Sequence, residues 1–389
     1  MPIPGTRRRV GLLGCLLTVV SLVAIVIVSI VIVAAVPDPL GLALSLVAAT
    51  VPALFYASLV LRLDRYEPEP LRAILACFFW GAFGAILFSL IAELMFSQAL
   101  HRYLADEATW VVEVALGAPL IEETFKGIAV LVLLLIARHE VDNVLDGMVY
   151  GALVGVGFAM TENVLYFGQG YIESGFRQFG VLVLARAVLG GLGHPAYTAV
   201  TGASLGWARS QYRRGVARFF VPVLGWAIAV ALHVAWNGGL FLTIGFLGSD
   251  TGLLTAVAVQ AALVIVPAVL VLYAIARQAA RHELEMLRQE LQFEVAQGIF
   301  TSAEYETITD AARRRDALTA ARSRGGKTLR AKQQEFFTIA AELAFLHHHR
   351  REGEPVGAEA ATRDEAFRRR IIALRHELDP TYPTGNALR

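Results

Sequence analysis

The chain has 389 residues, 56% of them hydrophobic and only 17% charged, with a mean hydropathy of +0.57. A globular soluble protein carries about 25% charged residues, so a plain soluble enzyme is excluded. The formal net charge of +1, from 34 basic and 33 acidic residues, gives no overall attraction to nucleic acid. The charge is unevenly placed: residues 277–389 hold 19 Lys/Arg and 17 Asp/Glu, whereas residues 1–276 hold 15 and 16. The first part therefore reads as a membrane domain and the second as a polar tail. Cys15 and Cys77 both sit in apolar runs, which gives neither a disulfide framework nor a CxxC metal site.

A bilayer core of about 30 Å needs about 20 apolar residues in a helix. Eight stretches meet that length: Val10 to Val36, Pro39 to Leu61, Leu71 to Leu100, Val111 to Ala137, Met148 to Gly168, Phe179 to Trp207, Phe219 to Phe246 and Gly252 to Ala276. The first follows Arg7, Arg8 and Arg9, but it is longer than the apolar core of a signal peptide and reads as a retained helix. Arginines then set the orientation. Arg7 to Arg9, Arg62, Arg65, Arg72, Arg138, Arg209, Arg213, Arg214, Arg218 and Arg277 fall on one side, against Arg102 and Arg177 on the other. Eight passes would put both termini in the cytoplasm.

Beyond Arg277 the pattern becomes amphipathic, with helices expected near His282 to Gln297, Ser302 to Arg322, Thr328 to Arg350 and Glu359 to Leu378. Thr301 and Glu304 form a capping-box pattern, and Gly325-Gly326 and the Gly353 to Gly357 segment read as breaks. The His347 to His349 run beside Arg350 and Arg351 is expected to be solvated surface rather than a metal site. The predicted fold is all-α: a polytopic membrane bundle of about eight helices with a cytoplasmic helical tail. Its parts are an anchor (1–36), a core (37–276) and a charged tail (277–389).

An ionisable side chain at the bilayer centre costs about 2.5–3.5 kcal/mol on insertion scales. Glu122, Glu123 and Lys126 in the fourth stretch, Glu162 and Asn163 in the fifth, His194 in the sixth, and His233 and Asn237 in the seventh all fall about 15–22 Å along their helices. Any one of them alone is equally well a bridge between helices. Together they point to a shared polar cavity. Glu122 and Lys126 are one turn apart and can pair, while Glu123 points about 100° away. Phe158 sets an aromatic wall one turn from Glu162. Gly151, Gly155, Gly157, Gly190, Gly191 and Gly193 read as helix-packing positions.

Two adjacent carboxylates, histidines and an asparagine suit attack by water on a carbonyl. A buried glutamate can act as general base, and a histidine can position the water or protonate the leaving amine. Asn237 can donate to the developing oxyanion. Glu122-Glu123-Thr-Phe-Lys126 and Phe158-Ala-Met-Thr-Glu162-Asn163 resemble the EExxK and FxxxEN motifs of the PrsW-type intramembrane proteases. Asp64-Arg-Tyr-Glu67-Pro-Glu69-Pro70, Asp146-Gly147, His194 with Thr198 and Gly202, and His233-Val-Ala-Trp236-Asn237 resemble further segments of that family, in order, from about residue 50 to 275.

The resemblance implies a bacterial plasma-membrane endopeptidase of glutamic type, distantly related to the CAAX-prenyl proteases and bacteriocin-processing enzymes. Glu122, Glu123, His194, His233 and Asn237 are carried over as catalytic candidates, with Lys126, Phe158, Glu162, Asn163 and Trp236 in support. Glu162 is expected to position a histidine or the water. The family is linked to anti-sigma factors, and the substrate class the resemblance implies is the general one, a membrane-anchored single-span protein or a lipidated peptide; the bilayer is the other partner, nucleic acid is not one, and no partner is implied for the tail. No cofactor is expected. The competing readings are a zinc-dependent protease, a transporter with a Glu/His relay, and a scaffold that keeps the pocket for binding.

Overall fold

The computed structural model describes residues 4–63, 69–137, 141–210, 215–247, 252–351 and 360–379. The segments Asp64 to Pro68 and Gly353 to Gly357, together with Arg138, Arg213 and Arg214, lie outside the described residues, as does the side chain of His349. Among the described residues there are helices and no strands.

Among the described residues eleven helices follow in chain order: α1 (Pro4–Ala35), α2 (Pro39–Val60), α3 (Leu71–Leu100), α4 (106–136), α5 (Val144–Leu182, continued by a π-helical stretch Val183–Leu189), α6 (Gly193–Ser210), α7 (Ala217–Leu247), α8 (Leu253–Ala296), α9 (Ser302–Ile308), α10 (Ala311–Arg351) and α11 (Ala360–Leu378). Residues Gly5–Leu63 and Glu69–Arg277 form one compact unit, and the chain from Gln278 onward forms a second.

In the first unit α5 is the central element, buried on nearly every side from Leu145 to Phe158. Asn143 caps it, accepting from the Leu145 and Asp146 N–H groups, while the Asp146 carboxylate accepts from the Asn143 N–H. Glycines at four-residue spacing then let α6 approach backbone to backbone. A Cβ on Gly147, Gly151 or Gly155 would lie 2.1, 2.4 or 2.3 Å from the carbonyl oxygen of Gly202, Thr198 or His194. No larger residue fits there, and this contact sets the depth of the α6 side chains against α5. On the other side of α5, Gly157 faces the Phe78 carbonyl of α3 and Gly81 of α3 faces the Val154 carbonyl. The small-residue stripe Gly41, Ser45, Ala49 and Ala53 of α2 is buried, and α2 packs on α5.

Five described helical runs are long and apolar enough to cross a membrane: Pro39–Val60, Leu71–Leu100, Val144–Ser210, Ala217–Phe246 and Leu253–Ala296. The expected eight stretches divide the same sequence differently. Val144–Ser210 has 67 residues, roughly 100 Å of helix at 1.5 Å per residue. It is interrupted at Ser174 and Gly175, the latter with φ of 66°, and by the turn Gly190–Leu192. It holds both the fifth and sixth stretches. The fourth stretch, on α4, carries Glu113, Glu122, Glu123 and Lys126, too many charges for an apolar run.

The second unit has its own core. Met286, Leu287 and Leu291 of α8, Ile299, Phe300, Ile308, Phe336, Phe337, Ala340, Ala344, Ile371 and Leu374 are buried together. The Thr301–Glu304 capping box opens α9. Two expectations are corrected. The helix foreseen from Ser302 to Arg322 is split at Thr309-Asp310, where the Asp310 carboxylate accepts from the Ala312 and Arg313 N–H groups and starts α10. His347 is not solvated surface: its Nδ1 lies 3.5 Å from Glu294 and its Nε2 3.3 Å from Asp364. The reason is periodicity, since α10 turns that face onto the core. Gly325-Gly326 is non-helical, with φ of 65° at Gly326, as its sequence requires.

Candidate active site

Three helices meet at the ammonium of Lys126, α4 with Glu122 and Glu123, α5 with Phe158 and α6 with His194. The Lys126 side chain is fully buried, and its Nζ lies 2.9 Å from Glu122 Oε2, 2.9 Å from Glu123 Oε1 and 2.9 Å from His194 Nδ1. An ammonium has three protons and no acceptor, so these three contacts use all of them. With Lys126 donating, His194 Nδ1 is the acceptor and Nε2 carries the ring proton, which it donates to Glu162 Oε2 at 2.9 Å. The Phe158 ring closes the remaining side, with Nζ 3.8 Å from its centroid.

Glu123 does not turn away from Lys126 as its 100° offset suggested. A long lysine side chain reaches the i−3 carboxylate as readily as the i−4 one. Glu123 is fully buried and saturated: Oε1 also takes His233 Nδ1 at 3.2 Å, and Oε2 accepts from the Thr198 hydroxyl at 3.0 Å. The His194 and His233 rings stand edge to face, 4.9 Å apart.

A cavity of about 690 Å³ opens beside this cluster. Glu122, Phe158, Glu162, Asn163, His194, His233, Trp236 and Asn237 line it, whereas Glu123 and Lys126 lie behind its wall. Asn237 Nδ2 donates to the Val114 carbonyl at 2.9 Å. Asn163 Oδ1 accepts from Arg186 Nε at 2.9 Å, and Arg186 Nη2 lies 2.6 Å from Glu162 Oε2. Glu162 thus bridges an arginine and His194, a geometry that fixes the imidazole.

Sequence reasoning missed Arg186, Glu93, Glu113 and Tyr197, all of which line the cavity. Arg186, Glu93 and Glu113 carry the signal that marked the others, an ionisable group inside an apolar stretch. Tyr197 carries none, because a tyrosine in a membrane helix is unremarkable by composition. Among the described residues the buried Ser89 Oγ, Glu113 Oε1 and Tyr197 hydroxyl have no hydrogen-bond partner.

Residues 69–272 match the family described as PrsW family intramembrane metalloprotease. That span covers just over half of the chain and includes every residue of the cluster. The chain belongs to the PrsW family of intramembrane proteases. It is similar to proteins named Protease PrsW from several bacteria. The Geobacillus kaustophilus protein is 29% identical over 188 residues, 46% of this chain and 77% of that relative. The Bacillus subtilis protein is 30% identical over 128 residues, 33% of this chain and 55% of the relative. The Clostridioides difficile protein is 32% identical over 104 residues, 26% of this chain and 42% of the relative. The matched part thus spans about half or less of the second and third relatives. No solved structure matches the chain.

The family description raises the question of a metal. Glu122, Glu123, His194 and His233 each offer a ligand atom, all within 4.8 Å of one another, and carboxylates with imidazoles are donors that suit zinc. The position does not suit it. Zinc needs its donors about 2.0–2.2 Å from a shared point, and the Lys126 ammonium already holds Glu122, Glu123 and His194. With that cation in place, the set does not fit a divalent metal ion.

Proposed function

We propose that this PrsW-family protein is a glutamic endopeptidase that hydrolyses a peptide bond in a membrane-anchored protein, with water activated by Glu122 and without a metal. The observation that carries the assignment is the division between the two carboxylates. Glu122 borders the cavity and is tied to Lys126 through Oε2, whereas Glu123 spends its oxygens on Lys126, His233 and Thr198. Glu122 is therefore the base and Glu123 the group that holds Lys126 and His233 in place.

In this reading Glu122 takes a proton from water as the water oxygen attacks the scissile carbonyl carbon. It then passes the proton to the leaving amine when the C–N bond breaks. His233, oriented by Glu123 through Nδ1, assists from the cavity side with Nε2. One Asn237 N–H is committed to the Val114 carbonyl, which leaves the other for the oxyanion. Lys126 supplies fixed positive charge behind the site.

The reading carries eight membrane passes, both termini in the cytoplasm and a bacterial plasma membrane, supported by the one-sided arginine distribution. The substrate class is a protein with a single membrane span, an anti-sigma-factor-like protein among them. Glu122→Gln keeps the size and removes the base, so cleavage should fall by about 10²–10⁴-fold. Quantitative membrane proteomics of cells with wild type or the Gln variant identifies the protein trimmed only by wild type. Equal trimming by both at equal expression sinks the assignment. Treatment of the purified protein with a strong zinc chelator should leave cleavage unchanged, and loss of activity restored by zinc would overturn the metal-free chemistry.

A further inference from the structure

The Tyr197 hydroxyl is one of three cavity-lining polar atoms, with Ser89 Oγ and Glu113 Oε1, that are buried without a hydrogen-bond partner among the described residues, and it belongs to a ring that contacts both histidines. Tyr197 is 1% exposed and lines the cavity. Its ring stacks on His233, 5.0 Å between centroids at 25°, and stands edge-on to His194 at 6.1 Å. The phenol is wedged between the two histidines, yet its oxygen has no hydrogen-bond partner among the described residues. A buried donor left unpaired is unfavourable, and phenylalanine would stack equally well without that cost.

The position of the oxygen indicates what it is for. Helix side chains lean toward the N-terminus, and the Tyr197 oxygen lies 3.1 Å from where a Cβ on Gly193 would sit. It is therefore at the first turn of α6, an 18-residue helix that begins at Gly193, where the helix dipole favours negative charge. A side chain at residue 193 would push against the phenol, and glycine leaves it room.

We propose that the Tyr197 hydroxyl is a catalytic donor that hydrogen-bonds the carbonyl oxygen of the scissile peptide as it becomes an oxyanion, alongside the free N–H of Asn237. This rests on the Glu122 reading above. As the water oxygen bonds to the carbonyl carbon, its proton goes to Glu122 and the C=O electron pair moves onto oxygen. Tyr197 donates to that oxygen and keeps its proton. When the C–N bond breaks, the pair returns and the amine takes the proton from Glu122.

The experiment uses the full chain in phospholipid vesicles, with the single-span protein trimmed by wild type as substrate and Glu122→Gln as control. Tyr197→Phe should lower kcat by about 10²–10³-fold, the loss typical for one oxyanion donor, with KM changed by less than about twofold. Its melting temperature should equal or exceed that of wild type, because an unpaired hydroxyl has been removed. Affinity for an N-acyl tripeptide aldehyde, whose hydrate is tetrahedral, should fall with kcat. Should the Phe variant fail to insert, Gly193→Ala, which displaces the phenol, should lower kcat at unchanged KM. Wild-type kcat in the Phe variant beside an inactive Gln control would overturn the Tyr197 role alone, as would kcat and melting temperature falling together. A Gln control that still cleaves would overturn the Glu122 chemistry and the Tyr197 role with it.

Discussion

At the scale of single residues, Lys126 decides most of what the site can be. Its three protons meet two carboxylates and an imidazole, so one buried cation orders three other groups and takes the place a metal ion would need. Replacing it tests this directly. Lys126→Ala leaves Glu122, Glu123, His194 and His233 without their central cation, and that donor set suits zinc. The variant protein should bind zinc, detected by elemental analysis after dialysis, whereas wild type should bind none; a metal-loaded wild type would contradict the role of the ammonium. Cleavage by the variant should be lost, because removing one partner strands buried carboxylates. The Glu122–Lys126 pair is legible in sequence as a one-turn spacing. The second bond to Glu123 is not, because helical-wheel angles describe Cβ directions and not the reach of a four-carbon side chain. Tyr197 was illegible for a different reason, since an unpaired hydroxyl exists only once its neighbours are known.

At the scale of elements, the site is placed by the α5–α6 contact. The Gly147, Gly151 and Gly155 stripe brings the α6 backbone close enough that the Thr198 hydroxyl and the His194 ring meet carboxylates from α4 and α5. Gly155→Ala puts a methyl group 2.3 Å from the His194 carbonyl oxygen, so one backbone must move. His194 would then lose its place between Lys126 and Glu162, and a displacement of about 1 Å costs on the order of 10² in rate. Gly180→Ala, with nothing within 4 Å of the new Cβ, is the matched control and should cleave like wild type. Equal activity in both variants would show that close approach at Gly155 does not set the geometry. Gly151 and Gly155 were legible in sequence as packing positions, whereas Gly147 and the partners of all three were not. Membrane stretches were legible as apolar runs, while Ser174-Gly175 and the Gly190–Leu192 turn emerge only from the backbone. The split of the tail at Thr309-Asp310 was equally hidden, because apolar periodicity continues across it.

At the scale of the whole molecule, all the cluster and cavity residues lie in one unit, and the family match ends at residue 272. The chain from Gln278 onward has a separate apolar core, and its arginines are largely spent internally. Arg370 grips Glu335 through two bonds of 2.7 and 2.8 Å, and Arg375 binds Glu304 and the Ile299 carbonyl. Residues 278–389 produced alone should therefore be helical by circular dichroism and unfold in one cooperative transition, and a gradual melt would show that the core needs the rest of the chain. Acid gives a second arm to this test. Hydrogen bonds from Lys332 and Arg370 hold the Glu377 carboxyl below its ordinary value, which links α10 to α11. A carboxyl depressed in the folded state stabilises above its unfolded value of about 4.3, and that contribution is lost as pH falls through the folded value. Glu377→Gln should thus lower the melting temperature of the fragment at pH 7 and leave it unchanged near pH 2. A difference that persists in acid would mean that the pair acts through packing and not through charge. The full chain cut after Arg277 should still insert and, in the Glu122 chemistry, still cleave, because no group of the cluster comes from the tail.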